Sequence, residues 1–130
     1  MEKDFDQWNT SKKRLDSSSP LIRYHEREIW WCAFGVNVGF EQDGTGRNFD
    51  RPALILRGFS PHVCVAIPLT GSKREGIFYS YLGRMGDRDA SVVLSQIRLI
   101  DTRRLIRKMA TLEEEKFKKV KIALRDLLFC

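Results

Sequence analysis

Apolar residues along this chain fall into short dense runs broken by glycine- and aspartate-rich stretches. Residues Glu28 to Phe34, Arg51 to Leu56, Val63 to Leu69, Ile77 to Leu82 and Ser91 to Ile100 each read as a strand. The breaks lie at 43–50, 71–76 and 83–89. Such spacing predicts a small barrel or sandwich. The runs are continuous rather than alternating, so the strands are expected to be covered on both faces by a helix or a second subunit. Two segments carry a helical period instead. Residues 3 to 16 put Phe5, Trp8 and Leu15 on one face and stop at Ser17-Ser18-Ser19-Pro20. The second follows Thr111, which stands before Leu112-Glu113-Glu114 in a capping-box pattern. Acidic residues there suit the positive end of a helix, and Phe117, Val120, Leu124 and Leu127 continue the stripe. The expected organisation is a helical extension over 1–20 and one domain over 21–130. That domain is mainly β (α+β), with its C-terminal helix at 111–128.

Composition narrows the class. A chain of 130 residues with 42% hydrophobic and 31% charged residues fits one globular domain. No apolar run is long enough to span a bilayer, and the first twenty residues lack a signal-peptide core, which predicts a cytoplasmic protein. Cys32, Cys64 and Cys130 form no metal-ligand spacing, and their odd number argues against a disulfide framework. Cys32 and Cys64 sit in apolar runs and read as core. The net charge is +6, and from Arg98 onward ten Lys/Arg face five Asp/Glu, which concentrates the excess there. A basic face attracts nucleic acid, an acidic protein partner or an anionic membrane. For the C-terminal helix, packing with a solvated basic side is the plainer reading.

Little of the usual catalytic vocabulary is present. His25 and His62 stand far apart, and the sequence has no HExxH, P-loop, dinucleotide fingerprint or GxSxG elbow. No metal and no cofactor is expected. What remains is Arg51, which starts one strand after a polar loop, and Thr70, which ends the next. The tight connection from Gly58 to His62 predicts a hairpin, which would bring the two side chains together at one rim. A guanidinium fork beside a hydroxyl suits a phosphate. Taken singly, Arg51 also reads as an ion-pair partner of Asp50 or Asp43, and Thr70 as a turn residue.

These residues carry a resemblance. The stretches "REIWWCAFGVNVGFEQDG", "RPALIL", "CVAIPLTG" and "SVVLSQIRLIDTRRL", in that order, resemble the MazF/PemK toxins of type II toxin–antitoxin systems. The resemblance covers roughly residues 27 to 110. It implies an SH3-like small β-barrel with a C-terminal helix, to which the N-terminal helix is an addition. It further implies a homodimer, a metal-independent endoribonuclease acting on single-stranded RNA, and an antitoxin partner. It assigns catalysis to Arg51, Thr70 and Glu41. The loop from Glu41-Gln42 to Arg51 is longer than in many members. One branch of the family places an acid and a base at positions held here by Val93 and Ser95, so that assignment does not transfer.

The residues expected to hold RNA are Gln42, Arg47, Gln96, Arg98, Arg103 and Arg104, with Tyr79 and Tyr81 either stacking bases or packing in the core. Asp101 reads as the cap of a short turn at Thr102-Arg103-Arg104. The antitoxin would lay an acidic, apolar-studded segment into the basic groove. A gyrase-poisoning toxin on the same barrel is one alternative, although the chain ends Leu127-Leu128-Phe129-Cys130 rather than in the Trp-Gly-Ile tail of that branch. A non-catalytic barrel that binds RNA or protein is another.

Overall fold

The structure, a computed structural model, describes residues 22–34 and 50–130. The expected N-terminal helix lies outside the described residues, as do Glu41, Gln42 and Arg47. Among the described residues seven strands and one α-helix follow in order: β1 (Glu28–Ala33), β2 (Asp50–Gly58), β3 (Val63–Thr70), β4 (Tyr79–Met85), β5 (Arg88–Val93), β6 (Arg98–Asp101), β7 (Leu105–Thr111) and α1 (Glu114–Phe129). Every strand pairing is antiparallel. The main path runs β4-β5-β3-β2-β1-β7, and β6 also pairs with β3. The result is a curled, barrel-like sheet carrying one C-terminal helix.

Both faces of β1, β2 and β3 are covered, as their continuous apolar runs require. On one face Ile29, Leu54 and Ile67 pack with Leu82, Val92 and the helix residues Phe117, Val120 and Leu124. On the other, Trp30, Cys32, Ala53, Ile55, Cys64 and Ala66 pack with Ile100 and Leu105 from β6 and β7. The helix therefore supplies one cover, and the sheet curling on itself supplies the other. Cys32 and Cys64 are buried free thiols, and burial pushes them up to about 12 and about 11. They behave as core residues and not as nucleophiles.

Three expectations from the pattern are corrected. The expected strand from Ser91 to Ile100 is two strands separated by a 3-10 turn at Leu94–Gln96. The cause is that β5 and β6 share one edge of β3. Pairing of Leu69 with Val92 would, if continued, set Ala66 opposite Ser95, but Ala66 faces Arg98. The turn takes up the difference in register. The strand expected at 77–82 runs instead from Tyr79 to Met85, because the two-residue turn Gly86-Asp87 lets β4 and β5 pair as far as Met85 with Arg88. Gly86 has φ +70°, a conformation such a turn demands.

The helix begins at Glu114 and not at Thr111. Thr111 is committed to β7, opposite Glu28, and Glu113 is the N-cap, with no side-chain capping bond. The junction is fixed by Arg27 instead. The Leu112 amide donates to the Arg27 carbonyl at 2.8 Å, and Arg27 Nε donates to the Leu112 carbonyl at 3.0 Å.

The β2–β3 loop is fastened at the opposite end of the hairpin from Arg51. The Tyr24 hydroxyl donates to the carbonyls of Ser60 and Val63. The Thr102 hydroxyl donates to the Pro61 carbonyl at 2.7 Å, which ties the β6–β7 turn to the same loop. Gly58 leaves room for the Tyr24 ring. A Cβ there would lie 2.6 Å from the Tyr24 hydroxyl oxygen and 2.7 Å from a ring carbon. Gly58→Ala is expected to displace Tyr24 from both carbonyls and to destabilise the fold by about 1–3 kcal/mol, read in chemical denaturation. An unchanged midpoint would show that the ring moves aside without cost.

Candidate active site

The hairpin logic of the sequence puts Arg51 and Thr70 at one end of β2 and β3. The ladder pairs Ala53 with Pro68 and Leu54 with Ile67. Carried outward by two residues, the same register sets Arg51 against Thr70. Both side chains line one cleft of about 440 Å³.

Arg51 is held firmly. It is only 5% exposed, Nη2 donates to the Leu69 carbonyl at 2.7 Å, and Nη1 lies 3.5 Å from Gln96 Oε1. Burial lowers its pKa from the ordinary arginine value. It stays cationic throughout the physiological range. A cation partly withdrawn from water interacts more strongly with an incoming anion than one on an open surface. Its immobilised fork also needs little reordering when a phosphate arrives. Thr70 ends β3 beside it, half-buried, with Gly71 next in the chain.

Gln96 joins this pair through Arg51, carried there by the 3-10 turn that splits β5 from β6. The remaining sequence candidates are placed differently. Arg98 stacks over the Phe34 ring at 5.3 Å. Arg104 Nη1 donates to the carbonyl of Phe34 at 3.0 Å, and burial lowers its pKa. Arg103 is engaged by Asp101, whose Oδ1 accepts from the Arg103 amide at 2.9 Å and from Nε at 2.8 Å. Asp101 thus caps its turn as the sequence suggests. Tyr79 is half-buried on β4. Tyr81 is 40% exposed, and its hydroxyl donates to Asp89 Oδ1 at 2.7 Å. That bond raises the Tyr81 pKa. Lys73 Nζ lies 5.1 Å from the ring centroid.

The cleft also contains residues that sequence reasoning passed over. Trp31 from β1, Met85 from β4 and Met109 from β7 form apolar walls, the β4–β5 turn contributes Asp87, and the start of β5 contributes Arg88 and Asp89. The Arg88 side chain reaches toward Gly71: an added Cβ at Gly71 would lie 3.7 Å from Arg88 Nη1. The break expected at 83–89 narrows to the turn Gly86-Asp87, with its flanks paired in β4 and β5. Its approach to Arg51 depends on the β3–β5 pairing, which no local pattern announces. Among the described residues no group of three His, Cys, Asp or Glu side chains is placed to hold a metal ion. Among them, too, no helix is long and apolar enough to cross a membrane.

A curled antiparallel sheet with one helix, and a buried arginine beside a threonine at the edge of its cleft, define a class that comparison with known proteins makes definite. Residues 25–128 match the family described as PemK-like, MazF-like toxins of type II toxin–antitoxin systems. The chain belongs to that family. Comparison with curated proteins gives no match. Among solved structures, the fold is similar to MazF (Form-I) from Deinococcus radiodurans, with a TM-score of 0.68 at 24% identity over 84% of this chain and 99% of that one. It is also similar to an endoribonuclease in complex with its cognate antitoxin from mycobacterial species, with a TM-score of 0.60 at 16% identity over 82% and 95%. A third is MazE–MazF (Form-II) from Deinococcus radiodurans, with a TM-score of 0.64 at 19% identity over 83% and 97%. The fold is accordingly that of the MazF-like, SH3-like barrels.

Proposed function

We infer that this toxin is an endoribonuclease that cuts single-stranded RNA, with sequence selectivity and without a metal, and that it thereby blocks translation. The observation that carries the reading is the pinned Arg51 guanidinium and Thr70 on one cleft. RNA brings its own nucleophile. The 2′-oxygen attacks phosphorus, its proton passes to a base, and the 5′-oxygen leaves with a proton, giving a 2′,3′-cyclic phosphate and a 5′-hydroxyl. Arg51 stabilises the charge that grows on the non-bridging oxygens. The Thr70 hydroxyl donates to the same phosphate and fixes its orientation. Glu41 is the carboxylate we assign to the 2′-hydroxyl proton. Its place follows from the resemblance, since it lies outside the described residues. Gln96 acts as a positioning residue through its contact with Arg51.

The same reading makes the toxin a cytoplasmic homodimer whose antitoxin occupies the RNA groove. The basic side chains Arg98 and Arg107, stacked on Phe34 and Trp31, suit either an RNA backbone or an acidic segment. The two relatives solved with an antitoxin support a protein partner of this kind.

Purified protein is expected to cut single-stranded RNA in EDTA, leaving 5′-hydroxyl ends that polynucleotide kinase labels without prior phosphatase treatment and 2′,3′-cyclic phosphate ends. Cleavage that stops in EDTA and returns with magnesium would overturn the metal-free reading. Intact RNA under all conditions, together with loss of gyrase supercoiling, would favour the gyrase-poisoning alternative.

A further inference from the structure

The cleft holds more than a phosphate can use. Its volume of about 440 Å³ falls within the range of pockets that take whole small molecules. Much of its wall is apolar, formed by Trp31, Met85 and Met109, and Met109 is 44% exposed although it is a large hydrophobe. A phosphate gains nothing from such a wall. The flat face of a nucleobase does, because bases stack on aromatic rings whatever their sequence. The Trp31 ring is already backed by a cation, with Arg107 6.0 Å from its centroid.

The carboxylates are the second observation. Asp87 and Asp89 line the same cleft as Arg51 and Thr70. Among the described residues neither is in an ion pair. An anion beside a phosphate site weakens phosphate binding, so these groups are suited to some other part of the substrate. Asp89 is held by the Tyr81 hydroxyl on Oδ1, which orients the carboxylate. A carboxylate accepts hydrogen bonds only. Guanine offers two adjacent donor positions on its pairing edge, N1–H and the N2 amine, which match two carboxylate oxygens. Uracil offers one N–H between two carbonyls that a carboxylate repels. Adenine and cytosine offer an amine beside an acceptor nitrogen.

We propose that Trp31 and Asp89 form a base-reading slot beside the catalytic pair, which stacks the base adjoining the scissile phosphate and selects guanine, with Asp87 as a second acceptor at its edge. The slot rests on the endoribonuclease reading for its place in the reaction. Its ligand chemistry is independent of turnover.

The test separates the two. Guanosine 3′-monophosphate and uridine 3′-monophosphate are titrated into the full-length protein by calorimetry, and cleavage sites are mapped on a long RNA. Guanosine monophosphate is expected to bind about tenfold tighter or more, as one good bidentate base contact provides. Asp89→Asn, which keeps an acceptor for Tyr81, should bring the two nucleotides within about threefold of each other and erase guanine from the mapped cut sites. Trp31→Ala should weaken both nucleotides by about tenfold, and Trp31→Phe should restore most of that loss. Guanine-selective binding by a protein that cuts no RNA would sink the enzyme reading and uphold the slot. Cleavage with no base preference next to the cut, or nucleotide binding indifferent to Asp89→Asn, would overturn the slot and leave the enzyme standing. Variants that keep nucleotide selectivity unchanged while losing a protein partner would give the slot to that partner and overturn the proposal.

Discussion

Arg51→Ala is expected to lower RNA cleavage by about two to three orders of magnitude, the usual cost of removing one preorganised charge-stabilising donor. The size of the effect follows from how the guanidinium is held. It is nearly buried, and its bond to the Leu69 carbonyl fixes it in the fold before any substrate arrives. Alanine also leaves that carbonyl without its donor, at about 1–3 kcal/mol of stability if water does not replace it. A fall in activity could then reflect a weakened fold, so Arg51→Lys serves as the control. It keeps the charge but not the planar fork, and should retain the melting temperature more closely while remaining strongly impaired. Cleavage by Arg51→Ala at the wild-type rate, measured with folded protein, would remove Arg51 from the chemistry. Arg51→Lys at full activity would show that charge alone suffices.

The largest expected effect on stability lies elsewhere, at Glu28. This carboxylate is buried, 7% exposed, at the start of β1. It accepts from the His25 amide at 2.8 Å and from Trp30 Nε1 at 3.0 Å, and Lys108 Nζ lies 3.1 Å away. Burial alone would raise its pKa, but the Trp30 and His25 hydrogen bonds and then Lys108 outweigh burial and lower it. A lowered pKa means that the ionised form stabilises the fold. That stability is fully present above the unfolded carboxylate value of 4.5, and is lost as pH falls below it and through the lower folded value. Glu28→Ala strands the buried Trp30 indole N–H and the His25 amide, while the half-exposed Lys108 ammonium returns to water, and should cost about 2–4 kcal/mol at neutral pH. Denaturation midpoints measured from pH 7 down to pH 3 check both parts. The variant should be less stable at pH 7 and should show a flatter acid limb than wild type. Equal acid sensitivity in the two proteins would show that Glu28 is not the group that titrates.

Glu28 also shows where reading the sequence stopped. In the chain it is one more charge before an apolar run. Its burial is decided by β7, which pairs antiparallel with β1 and brings Lys108 opposite Trp30. Arg103 and Arg104 make the same point in reverse. Their clustering in the chain names no internal partner, whereas the fold engages Arg103 with Asp101 and sets Arg104 on the Phe34 carbonyl, and their part in holding RNA stays a proposal. A run of like charges does not say which members the backbone will use.

What the sequence determined by itself was local. Apolar runs and their breaks located β1 and β3 to within one residue, β2 to within two, the C-terminal helix to within three residues at its start, and the Asp101 cap. The hairpin argument brought Arg51 to Thr70, because a short loop between two strands leaves little choice of register. Only the tertiary structure decided that one edge of β3 serves both β5 and β6, and this split the expected long strand and carried Gln96 to Arg51. It also decided that the β4–β5 turn meets Trp31 and Met109, assembling the cleft from segments distant in the chain. The reason is physical: hydrogen bonding within a turn is settled by neighbours a few residues away, whereas the choice of partner along an open strand edge is settled by how the whole sheet buries its two faces.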